Sequence, residues 1–285
     1  MISSMTRLSC GKTDCQIAGS YVPVAEFGLP TGEWMYFSPQ VLLWSDAFTT
    51  LTPPSQGGGG MMEARGPGHV GVSENRAGRI IAIPLQRRQR VRVRQGRFLC
   101  ATGSVDYRWE PSNVRYLQFG GSEWEFEYPM GRYHLTFTGQ ERQGLLLLHA
   151  RGDTFIRDLA DGESILVRPA SLLYWEDETD FSLHLEYAYV PGKPSRRRLS
   201  RSSTIWLRVR GPGRLVMQSA YERSEDAGAP DYRSFPSWHR WTALQIQVPG
   251  QPASGREGTC EAAPFALERD HRLGNRVGEW SARLY

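Results

Sequence analysis

The amino-acid sequence predicts an all-β protein, and three observations carry that expectation. A strand–turn–strand pattern recurs along the chain. Glycine (30), proline (18) and aromatic residues (11%) are abundant, a mixture that favours short strands joined by turns over long helices. Between Val22 and Tyr221 no stretch sustains a 3.6-residue apolar period, so amphipathic helices are not expected there. The 285 residues, 40% hydrophobic and 22% charged, allow one large domain or two small ones and exclude wholesale disorder.

The recurring pattern begins at Gly32-Glu33, continues to Pro39 and ends in Leu42-Leu43-Trp44. A second, degenerate copy runs from Arg88 through Arg94-Gln95 to Phe98-Leu99-Cys100, and a third from Gly162-Glu163 through Pro169 to Leu172-Leu173-Tyr174-Trp175. In each, the glycine supplies a turn conformation that other residues resist, and the apolar end reads as a strand entering the core. Hairpins follow the copies. Arg65-Gly66-Pro67-Gly68 leads to Val70 and Val72, Phe137-Thr138-Gly139 leads to Gly144 and Leu145–Leu148, and Arg210-Gly211-Pro212-Gly213 leads to Leu215 and Met217. Each is a strand, a Gly/Pro turn and a returning apolar strand. Gly32, Gly66, Gly68, Gly139, Gly162, Gly211 and Gly213 are therefore the structural turn positions of three strand–hairpin units. The triplicated β domain is expected over residues 16–221, with an N-terminal segment 1–15 before it.

Composition changes after Tyr221. Glu222–Gly228 reads as a linker, and the extension 222–285 is expected to be partly packed or disordered, with Leu244, Ile246 and Val248 alternating like a half-buried strand. Two polar stretches read as connectors, the glycine-rich Gln56–Gly60 and the arginine-rich Pro191–Ser203.

The net charge of +4 is far from that of a dedicated nucleic-acid arm. Lys12 and Lys193 are the only lysines. No run of about 18 apolar residues is present to span a membrane, and Met1–Ser20 lacks the apolar centre of a secretory signal. The four cysteines, Cys10, Cys15, Cys100 and Cys260, have no metal-knuckle or redox spacing, which suits a reducing, cytoplasmic compartment.

No catalytic constellation is visible. Gly66-Pro67-Gly68-His69-Val70-Gly71 matches a dinucleotide fingerprint in letters, but it turns into a strand where that motif must open a helix. His134, His149 and His184 fall in one repeat, with Glu186 nearby, but without clustered ligand spacing, so no metal and no cofactor are expected. Two charge ladders are more informative. Arg88, Arg90, Arg92 and Arg94 alternate with valines, which on a strand places four guanidiniums on one face. Glu123, Glu125 and Glu127 alternate with Trp124, Phe126 and Tyr128, aromatics expected to face the core. The ladders are candidate interface residues that meet across strands or between subunits. Left unpaired, the arginines, with the Arg196–Arg201 loop, would suit an anionic lipid headgroup or RNA phosphate.

The repeats resemble the altered inheritance of mitochondria protein 24 family, the mitochondrial biogenesis family of the tryptophan RNA-binding attenuator protein-like domain superfamily. The resemblance covers roughly Gln16 to Tyr221. It rests on Glu33–Tyr36 after Gly32, the Gly57–Gly60 run, the Gly66-Pro67-Gly68 hairpin, Gly78–Leu85, Val93–Ala101 and the closing Gln218-Ser219-Ala220-Tyr221. It implies a β-sandwich or double-stranded β-helix-like domain with pseudo-threefold internal symmetry and no established catalytic activity. The reading that emerges is a non-enzymatic scaffold that self-associates or binds a protein partner, with peripheral membrane contact as an extension of that role. An anionic-ligand (lipid headgroup or RNA) binding module is the alternative, with nucleic acid ranked below lipid. A metal-dependent enzyme of double-stranded β fold ranks last.

Overall fold

A computed structural model describes residues 5–53, 60–119, 124–176, 179–186, 204–220 and 281–282. Among them the regular structure is β-strand, apart from two 3-10 turns at Pro39–Val41 and Pro169–Ser171. The all-β fold class expected from the sequence holds. An N-terminal hairpin, β1 (Met5–Cys10) and β2 (Thr13–Ala18), precedes the first unit and runs across the expected 15/16 boundary.

That unit comprises β3 (Val24–Leu29), β4 (Trp34–Phe37), β5 (Leu42–Ser45), β6 (Thr50–Thr52), β7 (Met62–Arg65) and β8 (Gly68–Val72). The middle segment holds β9 (Arg79–Leu85), β10 (Arg90–Arg94), β11 (Phe98–Thr102), β12 (Val105–Pro111), the hairpin β13 (Tyr116–Phe119) and β14 (Trp124–Glu127), β15 (Tyr133–Gly139) and β16 (Gly144–Ala150). The last unit holds β17 (Thr154–Leu159), β18 (Ser164–Val167), β19 (Leu172–Glu176), β20 (Asp180–Glu186), β21 (Thr204–Arg210) and β22 (Gly213–Gln218), and β23 (Ser281–Ala282) pairs with β20.

These strands form four main antiparallel sheets. The first has the order β1-β2-β3-β8-β5, the second β6-β7-β4-β11-β16-β9, the third β12-β15-β10-β19-β22-β17, and the fourth β18-β21-β20-β23. The two six-stranded sheets are each joined from two successive segments, through β4 with β11 and through β10 with β19. A β-bulge falls at the same place in three strands, between Leu42 and Trp44, Phe98 and Cys100, and Leu172 and Tyr174. A bulge turns two consecutive side chains toward one face. Leu99 and Cys100 therefore face one core while Phe98 and Ala101 face another.

Three apolar cores alternate with the four sheets. Phe27, Val70, Phe37 and Leu147 fill the space between the first two sheets. Phe98, Leu146, Phe137 and Tyr174 fill the next, and Trp175, Leu215, Leu207 and Phe181 the last. The second and third sheets are thus covered on both faces. That is why β16 is the near-continuous apolar run Gly144–Ala150, buried at every position, rather than an alternating one.

Local chemistry sets the turns. Gly32 (φ 88°) and Gly162 (φ 76°) adopt a left-handed conformation disfavoured for residues with a Cβ. The following Glu33 and Glu163 amides donate to the Pro30 and Ala160 carbonyls, at 3.0 Å in each turn. The Gly66–Pro67 and Gly211–Pro212 peptides are both cis. At Gly211 a Cβ would run into the Ala160 carbonyl oxygen and the Leu159 side chain, so the hairpin closes only around glycine.

Two-sided burial makes a specific prediction. In an ordinary half-exposed strand, adjacent leucines differ sharply in the cost of truncation. Here Leu146→Ala and Leu147→Ala, both fully buried but facing opposite cores, should each cost about 2–5 kcal/mol, measured by urea unfolding.

Candidate functional site

The arginine ladder lies on β10, but it is shorter than its spacing suggests. Arg88 (φ 62°) sits in the turn before the strand, its amide donating to the Gly139 carbonyl at 2.9 Å. The sequence alternation overran the strand because a turn residue continues a period of two as readily as a strand residue does. Val91 and Val93 are buried, Arg90 is exposed and Arg92 half-buried. Arg94 is also buried, and its guanidinium donates to the Ala170 carbonyl at 2.7 Å.

Register supplies the ladder's acidic neighbour. Across β10, β15 and β12, Arg94 lies opposite His134, and His134 opposite Glu110. Glu110 comes within 3.6 Å of Arg90 and 3.7 Å of Arg92, and the His134 Nε2 lies 3.2 Å from its carboxylate. Burial alone would push the Glu110 carboxyl up. The side chains of Thr136 and His134 and the charge of Arg92 outweigh that and hold it below its ordinary value. Trp175 of β19 backs the group, its ring 5.5 Å from that of His134 and 5.3 Å from that of Phe181. Sequence reasoning missed Glu110, which carries no motif and joins the arginines only through strand register.

Of the acidic ladder, Glu123 and the side chains of Glu125 and Glu127 lie outside the described residues, as does the Arg196–Arg201 loop. Phe126 on β14 remains exposed, covered by the Arg115 guanidinium 4.3 Å above its ring. The expectation that this aromatic faces the core is corrected: β13 and β14 form a separate two-stranded sheet.

The three repeat-three histidines are dispersed. His134 is on β15 in the third sheet, His149 on β16 in the second, and His184 on β20 in the fourth. Among the described residues no group of three His, Cys, Asp or Glu side chains is placed to hold a metal ion. His149 is buried beside Arg97, Arg151 and Arg76. Burial, with those charges, keeps its imidazole below the ordinary 6.5. His184 is buried with Nδ1 3.4 Å from Arg208. Cys10, Cys15 and Cys100 are free, buried thiols, and burial pushes Cys15 up to about 12. Thiols so raised are poor nucleophiles.

A second feature is apolar and lies at sheet edges. Leu42 packs on a core, but Leu43 and Trp44 on β5 are 51% and 40% exposed. The expectation that this whole segment enters the core is corrected: the first sheet packs on a core through one face, which Leu42 joins, whereas Leu43 and Trp44 lie outside that core, the Trp44 ring over Gly71 of β8. Leu166 on β18, the end strand of the fourth sheet, is 45% exposed. Phe155 and Ile156 on the edge strand β17 are exposed as well.

Two measurements follow from the polar groups. Glu110→Ala leaves Arg92 and His134 half-buried beside a lost carboxylate and should cost about 1–2 kcal/mol, read by urea unfolding at neutral pH. The lowered His149 value means that the unfolded chain takes up this proton first. Stability should therefore fall as pH drops below 6.5. His149→Asn should flatten that part of the pH–stability curve.

Comparison with known proteins places this arrangement. An uncharacterised protein of Streptococcus pyogenes serotype M6 is 27% identical over 154 residues, covering 54% of this chain and 55% of its own length. The chain thus spans about half the length of this curated relative. The X-ray crystal structure of another Streptococcus pyogenes protein superposes with a TM-score of 0.57 at 22% identity, covering 76% of this chain and 97% of the other, which establishes likeness of fold. The family model described as mitochondrial biogenesis AIM24 matches residues 15–220. With strands β3 to β22 all falling within that span, the chain belongs to the mitochondrial biogenesis AIM24 family.

Proposed function

We propose that the chain is a non-enzymatic β scaffold, acting in a reducing, cytoplasmic setting by associating with copies of itself or with a protein partner. Its domain is read as three copies of one six-strand unit in pseudo-threefold repetition. The observation that carries the scaffold reading is the apolar exposure at strands that end sheets: Leu43 and Trp44 on β5, Phe155 and Ile156 on β17, and Leu166 on β18. Edge strands with exposed apolar side chains are sites where β proteins associate. Recurring strand order and three equivalent bulges support the repetition. The free thiols at Cys10, Cys15 and Cys100 support the reducing setting.

The same geometry weighs against the anionic-ligand reading. Arg90 and Arg92 approach Glu110, and Arg94 is directed inward to a backbone carbonyl. Part of their charge is thereby answered within the fold, leaving that face less suited to a headgroup or phosphate. Association through apolar edges should also resist salt, whereas headgroup binding should not.

Native mass spectrometry of the full chain, prepared at low and raised salt, tests the reading. The expected result is a discrete oligomer at both, carrying no non-protein mass. Flotation with phosphatidylserine vesicles that collapses as salt rises would replace the scaffold with the ligand-binding module.

A further inference from the structure

The two internal joints share one register. In the second sheet, Cys100 pairs with Phe37, Ala101 with Tyr36 and Thr102 with Met35. In the third, Tyr174 pairs with Val93, Trp175 with Arg92 and Glu176 with Val91. Cys100 and Tyr174 are equivalent, since each directly follows the bulge of its strand. Phe37 and Val93 are equivalent too: each lies the same distance before the first bulge residue of its own unit, Leu42 for one and Phe98 for the other. On this alignment the corresponding positions in the remaining strands are Trp44, which follows the bulge in β5, and Val167, at the same distance before Leu172 in β18.

Among the described residues neither β5 nor β18 has a second neighbour. Each is the last strand of its sheet, paired on one side only, β5 with β8 and β18 with β21. The side chains at these edges differ from their counterparts in one respect. Leu99 and Cys100, like Leu173 and Tyr174, are 0–8% exposed where β11 and β19 are joined. Leu43 and Trp44 are 51% and 40% exposed where β5 is not. Tyr36 on β4 is 2% exposed, and its counterpart Leu166 on β18 is 45% exposed.

We infer that β18 of one copy of this chain adds to β5 of a second copy, with Val167 opposite Trp44, Leu166 opposite Ser45 and Ile165 opposite Asp46. The contact repeats between chains the antiparallel joint that the chain makes twice within itself. It continues a sheet across the interface through the main-chain hydrogen bonds that both open edges present. Because it uses different surfaces on the two partners, it is head-to-tail: every bound copy leaves one competent edge at each end of the assembly, until a ring closes. The inference rests on the self-association proposed above and names the strands, partner and register that mediate it.

Blocking each edge separately tests it. Leu43→Lys/Trp44→Lys disables β5, and Leu166→Lys disables β18; all three side chains are exposed, so the circular dichroism of both variants should match that of the unaltered chain. By light scattering, the unaltered chain should be oligomeric and each variant alone a 32.2 kDa monomer. An equimolar mixture should give a 1:1 dimer and nothing larger, since one intact β18 meets one intact β5. Separately, Ser45→Cys and Leu166→Cys chains mixed under mild oxidation should cross-link to a heterodimer. An unaltered chain that stays monomeric overturns both this joint and the self-association reading. Blocked variants that remain oligomeric overturn the joint alone. A Ser45→Cys/Leu166→Cys double variant that cross-links within a monomer shows β18 meeting its own β5, and likewise overturns the contact between copies.

Discussion

Covering both faces of the two six-stranded sheets is the constraint on which the rest of this molecule depends. A strand buried on both sides has little room for polar side chains, so β16 is a near-continuous apolar run, interrupted by His149, and β11 is buried at all five positions. The outer sheets are under no such demand. β3 of the first sheet alternates between buried and partly buried positions, while β17, at the edge of the third, exposes four consecutive residues, Phe155 to Asp158. The bulges belong to the same solution. By turning Leu99 and Cys100 to one side and Phe98 and Ala101 to the other, a single strand serves two cores.

Charge is handled where the layers leave it room. The Arg90–Arg94 strand cannot turn its valines inward without also drawing guanidiniums toward the protein, and a buried cation is costly without a partner. The fold meets Arg94 with the Ala170 carbonyl and brings Glu110 near Arg90 and Arg92. His149 follows a different course. It is buried beside three arginines, and its environment favours the neutral imidazole. Both clusters hold ionisable groups inside the structure.

Much of the fold was legible from local chemistry. Gly32-Glu33 and Gly162-Glu163 mark turns because a left-handed residue is needed there, and the hairpins at Gly66 and Gly211 follow from the chain's closeness to its own backbone. The histidines show where that legibility stops. His134, His149 and His184 look like neighbours along the chain, yet they fall on three different sheets. β15 and β16 belong to the middle segment and β20 to the last unit, and each unit divides its strands between two sheets, so nearness in sequence does not become nearness in space. Glu110 is the converse: unremarked in sequence, it reaches the arginines by cross-strand register.

The sequence by itself determined the strands, their turns and the family, since these depend on backbone preference and on apolar spacing within a few residues. Only the tertiary structure decided which apolar segments are covered. Leu42-Leu43-Trp44 and Leu172-Leu173-Tyr174 are nearly the same motif with the same bulge. Leu173 is fully buried because it faces the core between the second and third sheets, whereas the first sheet packs on a core through one face only and Leu43, half exposed, belongs to no core. Burial is a property of neighbours, and a strand's neighbours are chosen by long-range pairing that no local pattern encodes.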